Sequence, residues 1–322
     1  MANDQNETVT PNLEPFSSSA CIAWLTVLNI EAVAIVTINA LTIIIYLKER
    51  GLRKRSMYLV ISLAVADMFV TYTLIIENLT LGYICNLWAI NVCKSSIVAY
   101  SFKYLFPAAS VTNLAAISLE RMHATFRPFK HRLFKKKIFG AAVAGVWFTA
   151  ALFTAIVFSP RFLGRSEITT LSYVVASYLS LLFCCLLIIV VSYTSIAIKV
   201  YCGTHPQHHG TIRTERKLTK TLFIVTIVSL ILVMPLTVFQ FLFYVTSGEM
   251  LEIISYGTWL HFLYSLVCLF FANSLINPLL YALKIPEFKR ALFLLLRCRS
   301  RSEPVEVFPL NDLKVVRFHS VN

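Results

Sequence analysis

Apolar residues in this chain fall in long unbroken runs rather than in alternating or heptad patterns. Seven runs lie at approximately Cys21–Leu47, Met57–Gly82, Ser95–Leu119, Ile138–Pro160, Leu171–Tyr201, Leu218–Thr246 and Ile253–Leu283. Each reaches or exceeds the roughly 20 residues that a helix needs to cross a bilayer. Backbone polar groups in lipid must be satisfied within the segment, so each run is expected to be a helix. The period-2 alternation of a membrane barrel is absent. The pattern therefore predicts an all-α membrane protein, a seven-transmembrane helix bundle. After the seventh run, Ala282-Leu283-Lys284-Ile285-Pro286 leads into Glu287–Leu296. There Phe288, Leu292 and Leu295–Leu296 share one face and Lys289 and Arg290 the other, which predicts a short amphipathic eighth helix lying on the membrane surface. The chain divides into an outer tail (1–20), a bundle with its eighth helix (21–298) and an inner tail (299–322).

Composition agrees with that pattern and charge orients it. Of 322 residues 57% are hydrophobic and 14% charged, a balance that a soluble domain of this length rarely reaches. With the N-terminus outside, 25 of the 29 Lys and Arg fall on the inner side, and only Lys94, Lys103, Arg161 and Arg165 fall elsewhere. The positive-inside rule thus places the N-terminus outside and the C-terminus inside. The net charge of +13 becomes a property of the cytoplasmic face. It suits anionic membrane lipids or an acidic partner, and nucleic acid is a poor reading.

Cysteines and short motifs add little certainty. Of the eight cysteines, Cys184 and Cys185 sit in an apolar run as small buried side chains. Cys21, Cys85 and Cys93 lie near the outer side, where a disulfide can form. Three candidates allow one bond and one leftover, and the sequence does not choose among them. Asn6-Glu7-Thr8 fits a glycosylation acceptor, whereas Asn78-Leu79-Thr80 lies inside the second span and is discounted. Cys298, just past the amphipathic piece, is placed for palmitoylation. The histidines of His205-Pro206-Gln207-His208-His209 lack cysteine or acid partners and read as incidental.

More informative are the polar residues inside the runs. Asn39 and Asp67 occupy the first and second spans, and Glu120-Arg121-Met122 closes the third. Asn273-Ser274 and Asn277-Pro278-Leu279-Leu280-Tyr281 lie in the seventh. Ionisable groups within a membrane are functional candidates by default. A deep proline such as Pro278 or Pro235 also frees a backbone carbonyl.

Together the seven spans, Asn39, Asp67, Glu120-Arg121-Met122, Trp147, Pro235 and Asn277-Pro278-Leu279-Leu280-Tyr281 resemble rhodopsin-like (class A) G-protein-coupled receptors, over roughly residues 22 to 298. The resemblance implies a cell-surface receptor at the plasma membrane. It would bind an extracellular ligand and activate a heterotrimeric G protein by outward movement of the sixth span around Arg121. In that family an acid at the position of Glu215 holds the arginine in the closed state, and tyrosines at the positions of Tyr193 and Tyr281 hold it in the open one. A half-desolvated arginine prefers a bidentate carboxylate, so the chemistry is consistent. Asp67, Ser110, Asn273, Ser274 and Asn277 map onto the family's allosteric sodium pocket, which implies a possible bound sodium ion and no other cofactor.

Lys103 lies eighteen residues before Arg121, about five helical turns outward. It faces the family's ligand cavity at a place where amine receptors carry an aspartate. A protonated biogenic amine is therefore disfavoured, and a lipid, peptide or anionic small molecule is the expected ligand. Glu77 can reach Lys103, so one expectation is a salt bridge that only joins two helices. The other is a lysine that binds an acidic ligand group. Phe102, Phe106, Phe239, Gln240, His261 and Tyr264 would line the same cavity.

The chain departs from the family pattern in several places. The second outer loop has no cysteine, so the usual disulfide to the third span cannot form. Cys185 replaces the fifth span's proline, Val233 and Ser229 replace the sixth span's aromatic residues, and Pro107 interrupts the third. The cysteine-free loop, the proline-free fifth span and Glu77 are similar to the melanocortin branch. Lysophospholipid and cannabinoid receptors share the missing disulfide. Val233 and Ser229 leave open a non-signalling or constitutively active receptor-like protein. A transporter would show internal repeats, and none is visible. A retinal protein needs a lysine where Phe271 stands. No hydrolase or metalloenzyme constellation is present, so an enzyme is not expected.

Overall fold

The computed structural model describes residues 17–49, 57–89, 97–133, 136–164, 167–202, 209–245, 255–284 and 286–296. Its helices are α1 (Ser18–Lys48), α2 (Met57–Ile84), α3 (Ile97–Phe126), α4 (Pro128–Leu133), α5 (Lys136–Phe162), α6 (Glu167–Cys202), α7 (His209–Val245), α8 (Tyr256–Lys284) and α9 (Pro286–Leu296). No strand occurs among the described residues. The first three spans are α1 to α3 and the last four are α5 to α8. Five of these helices are long and apolar enough to cross a membrane by length and composition alone. The other two are α3, which carries charged side chains, and α7, whose described apolar stretch is Ile227–Phe243.

Hydropathy locates where a helix crosses lipid, not where it ends. Accordingly α7 starts at His209, ahead of the apolar run at Leu218, because its polar first turns are helical too. Pro107, Pro235 and Pro278 all lie inside helices.

The bundle is built around α3, which touches α2, α5, α6 and α7. Close approach there rests on small side chains: Ala66, Ala108, Ala109 and Ala150 form a fully buried contact between α2, α3 and α5. With little hydrophobic drive between helices in lipid, such small residues let backbones pack tightly. Trp147 on α5 adds a hydrogen bond, its indole N–H donating to Ser62 Oγ on α2 at 3.2 Å. Two larger cores flank this contact. One, containing Leu28, Ile35, Leu74, Leu260, Tyr264 and Val267, joins α1, α2 and α8. The other, containing Tyr46, Leu63, Leu114, Ile117, Tyr193 and Ile196, lies toward the end of the bundle where α9 packs. α9 seals the latter: Phe288 is buried against Tyr46 (ring centroids 5.7 Å), while Lys289 and Arg290 are exposed. Its amphipathic face is therefore as expected.

At the opposite end a disulfide links Cys21 of α1 to Cys85, directly after α2. Cys93 lies outside the described residues. The chain turns sharply after Cys85, with Asn86 in the left-handed region (φ 56°) that asparagine tolerates. Trp88 then folds back so that its indole N–H donates to Leu79 O at 2.7 Å. Its ring lies where any side chain at Gly82 would collide with it, so this glycine is required by the close approach.

Candidate functional site

Three layers of polar chemistry are stacked along α3. The innermost surrounds Arg121, which is 5% exposed at the inner end of the helix. Its Nε lies 2.5 Å from Glu120 Oε2, and the other Glu120 oxygen lies 2.7 Å from His131 Nε2 on α4. An ionised carboxylate only accepts, so that histidine nitrogen carries the proton. Tyr193 of α6 is buried and packs edge-on against Phe223 of α7 at 5.1 Å. Phe129 on α4 is 81% exposed. Glu215 and Tyr281 belong to α7 and α8, but their side chains lie outside the described residues, as do Asn6 and Cys298 entirely.

Sequence reasoning missed Lys199. Its ammonium donates to the carbonyls of Thr125 (2.7 Å) and Phe126 (3.1 Å) and lies 4.7 Å from the Phe126 ring centroid. The last carbonyls of α3 have no helical partner, and a cation there satisfies them and the helix dipole together. The contact ties α6 to α3. No sequence signal separates this lysine from the other basic residues of the inner face.

The middle layer surrounds Asp67, which is 0% exposed. Ser110 Oγ donates to its Oδ1 at 2.7 Å, Ser274 Oγ donates to the same oxygen at 3.1 Å, and Asn277 Nδ2 donates to Oδ2 at 2.8 Å. Asn39 supports the layer by donating to Ser274 O at 3.0 Å. Four of the five expected pocket residues are thus joined directly. Asn273 is buried next to Ser274 in α8. The side-chain oxygens of Asn113, Asn273 and Asn277 are buried and without a hydrogen-bond partner among the described residues. A carboxylate held by neutral donors, with the unpaired amide oxygen of Asn277 beside it, is a donor set that a hard monovalent cation would satisfy.

The outer layer is a chamber. α2 contributes Thr73 and Glu77, and α3 contributes Lys103, Tyr104 and Pro107. α6 supplies Val174, Val175 and Tyr178, α7 supplies Leu236, Thr237 and Gln240, and α8 supplies Val267, Phe270 and Phe271. Lys103 Nζ lies 2.5 Å from Glu77 Oε1, and the two side chains are only 18% and 16% exposed. Lys103 thus bridges two helices, as one expectation had it, and also lines the chamber. Thr73 fastens the same helices, its hydroxyl donating to Lys103 O at 3.2 Å.

Of the expected cavity residues, Lys103, Glu77 and Gln240 line this chamber and five others do not. Phe102 is 40% exposed and stacks on Phe106 (5.8 Å), which in turn stacks on Phe69 (5.1 Å) and meets Trp147 edge-on. Successive helical residues diverge by about 100°, so a helix presenting Lys103, Tyr104 and Pro107 inward turns Phe102 and Phe106 away. Phe239 packs on Phe262 (5.2 Å) and Trp259 instead. His261 Nδ1 accepts from the Trp24 indole at 3.0 Å, and Tyr264 is buried against the same Trp24, so both join α1 to α8. Pro107 could have been found from Lys103, since a position four residues on shares its face, whereas Tyr104, about 100° round the helix, could not.

The three layers, an inner arginine, a buried aspartate network and an outer chamber on one central helix, set the context for comparison with known proteins. No curated protein matches the chain. A family model described as 7 transmembrane receptor (rhodopsin family) matches residues 38–281, from the residue before Asn39 to the end of the Asn277-Pro278-Leu279-Leu280-Tyr281 motif. That range is well over half of the sequence, and the chain belongs to the rhodopsin family of seven-transmembrane receptors.

Proposed function

We propose that this protein is a plasma-membrane receptor whose outer chamber binds an extracellular ligand and whose inner end activates a heterotrimeric G protein. The observation that carries the reading is the alignment of all three layers on α3. Lys103 faces the chamber, Ser110 holds Asp67, and Arg121 sits at the inner end. A ligand that favours one position of α3 relative to α7 thereby biases each layer, which is the differential interaction a population shift requires.

In the resting state Glu120, together with Glu215 as the acid at the inner end of α7, holds Arg121. On activation the inner end of α7 swings outward, and Tyr193 and Tyr281 receive the arginine. Exposed Phe129 supplies an apolar contact beside the opening. A sodium ion at Asp67, with the neighbouring hydroxyl and amide oxygens as further ligands, stabilises the resting state. The basic inner face suits an acidic partner and anionic lipids. The disulfide between Cys21 and Cys85 supports an outer N-terminus, because both cysteines must meet an oxidising compartment.

The test is basal second-messenger output in cells expressing the wild type, Arg121→Ala or Glu215→Ala at equal surface levels. Output that disappears with Arg121→Ala and rises with Glu215→Ala supports the switch. Output indifferent to Arg121 overturns it. A second reading, a receptor-like protein that does not relay ligand binding, is favoured by Val233 and Ser229, which are both buried in α7 where the resemblance implies large aromatic side chains. It predicts silence in all three proteins.

A further inference from the structure

The chamber is almost entirely uncharged. Among its described lining residues the only ionisable pair of opposite sign is Lys103 with Glu77, and the pair is more than four-fifths buried. Around it stand neutral hydrogen-bonding groups (Thr73, Thr237 and Gln240) and, farther along, Tyr178, Phe270 and Phe271.

That arrangement restricts what can bind. A purely anionic ligand that engages Lys103 competes with Glu77 and leaves a carboxylate in a poorly hydrated site without its cation. A purely cationic ligand that engages Glu77 draws that carboxylate away from Lys103 in the same way. Either outcome breaks a largely buried charge pair, which carries a large penalty. A ligand with both charges avoids it. Its acidic group meets Lys103, its ammonium meets Glu77, and the four charges close into an alternating ring whose net charge is unchanged. Neutral donors and acceptors on α2 and α7 satisfy the remaining valences, and the aromatic wall covers an apolar group.

We propose that the chamber takes a compact zwitterion, an ammonium and a carboxylate on one small frame with an apolar substituent, of the kind an α-amino acid presents. The proposal rests on the reading of this chamber as the ligand site. A phosphocholine headgroup carries the same two signs, but its quaternary ammonium has no N–H to donate to Glu77, so the amino-acid chemistry is favoured over it.

The experiment uses the full chain, solubilised in detergent, and its thermal unfolding midpoint. Probes are L-phenylalanine and L-leucine, their N-acetyl derivatives (carboxylate only), their amides (ammonium only) and lysophosphatidylcholine. The free amino acids are expected to raise the midpoint. The N-acetyl and amide forms are expected to need about a hundredfold more ligand for the same shift, as for one lost partner of a buried charge pair. Glu77→Gln and Lys103→Met should each abolish the response. The exchanged chain, Glu77→Lys with Lys103→Glu, should retain it, because the zwitterion can reverse. That double variant also separates loss of binding from loss of folding.

N-acetyl forms that act as well as the parent amino acids would overturn the proposal in favour of a simple anion site. Lysophosphatidylcholine acting alone would overturn it in favour of a lipid. No response to any probe would also overturn it. The receptor reading is judged separately, by the Arg121→Ala signalling comparison.

Discussion

Two acids, one buried and one partly buried, lie ten residues apart on α2, and their surroundings differ. Asp67 is enclosed by two hydroxyls and an amide, all neutral, whereas Glu77 faces a lysine. About 15 Å of helix rise separates them. The first network holds a carboxyl group with no protein cation against it among the described residues. The second pairs its carboxylate with an ammonium. A site with an uncompensated carboxylate recruits a cation or a proton. A site with a closed pair admits ligands that preserve its neutrality. One helix therefore presents two different selectivities, set by the partner of each acid rather than by the acid itself.

The comparison can be broken most severely at Glu77. Glu77→Gln alone leaves Lys103 without its carboxylate in a largely buried position, and a loss of about 3 kcal/mol is expected. Thermal unfolding of the solubilised protein measures it, and restoration by exchanging both charges would tie the loss to the pair. A smaller effect is expected at Asp67. Wild-type protein should gain about 1–2 kcal/mol on moving from choline chloride to saturating sodium chloride, as a ligand at several times its Kd provides. Asp67→Asn should remove that gain, while Glu77→Gln should keep it. If both variants respond equally to sodium, the two acids do not differ as argued. The smallest effect belongs to Thr73→Val, which deletes a neutral hydrogen bond between α2 and α3. A loss of about 1 kcal/mol or less is expected, with sodium response intact.

The spans were readable in the sequence because a bilayer imposes a long apolar run on anything that crosses it. Helix ends were less readable: α7 begins well before its apolar run, since polar turns beyond the membrane carry no hydropathy signal. Asp67 and its partners were visible as polar residues that lipid does not tolerate, and Lys103 for the same reason. The chamber wall was not. Phe102 and Phe106 were chosen for their chemistry, and Lys103 alone does not fix the helix face, since its spacing reaches Phe106 as well as Pro107 and misses Tyr104. His261 and Tyr264 illustrate the same error, as side chains suited to a pocket that instead join α1 to α8. Lys199 was hidden among basic residues whose distribution the membrane explains without it. The disulfide was open between three cysteines because pairing depends on where helix ends meet in space.

That disulfide has a topological consequence. Joining Cys21 to Cys85 closes α1, the connection at 49–56 and α2 into a covalent ring. A protease cut in that connection leaves both helices joined, and only a cut together with a reductant releases them. The third span's usual outer tether cannot form, since the loop before α6 has no cysteine. This end of the bundle is therefore anchored at its first two helices, and among the described residues only non-covalent contacts resist a sliding of α3 against α6.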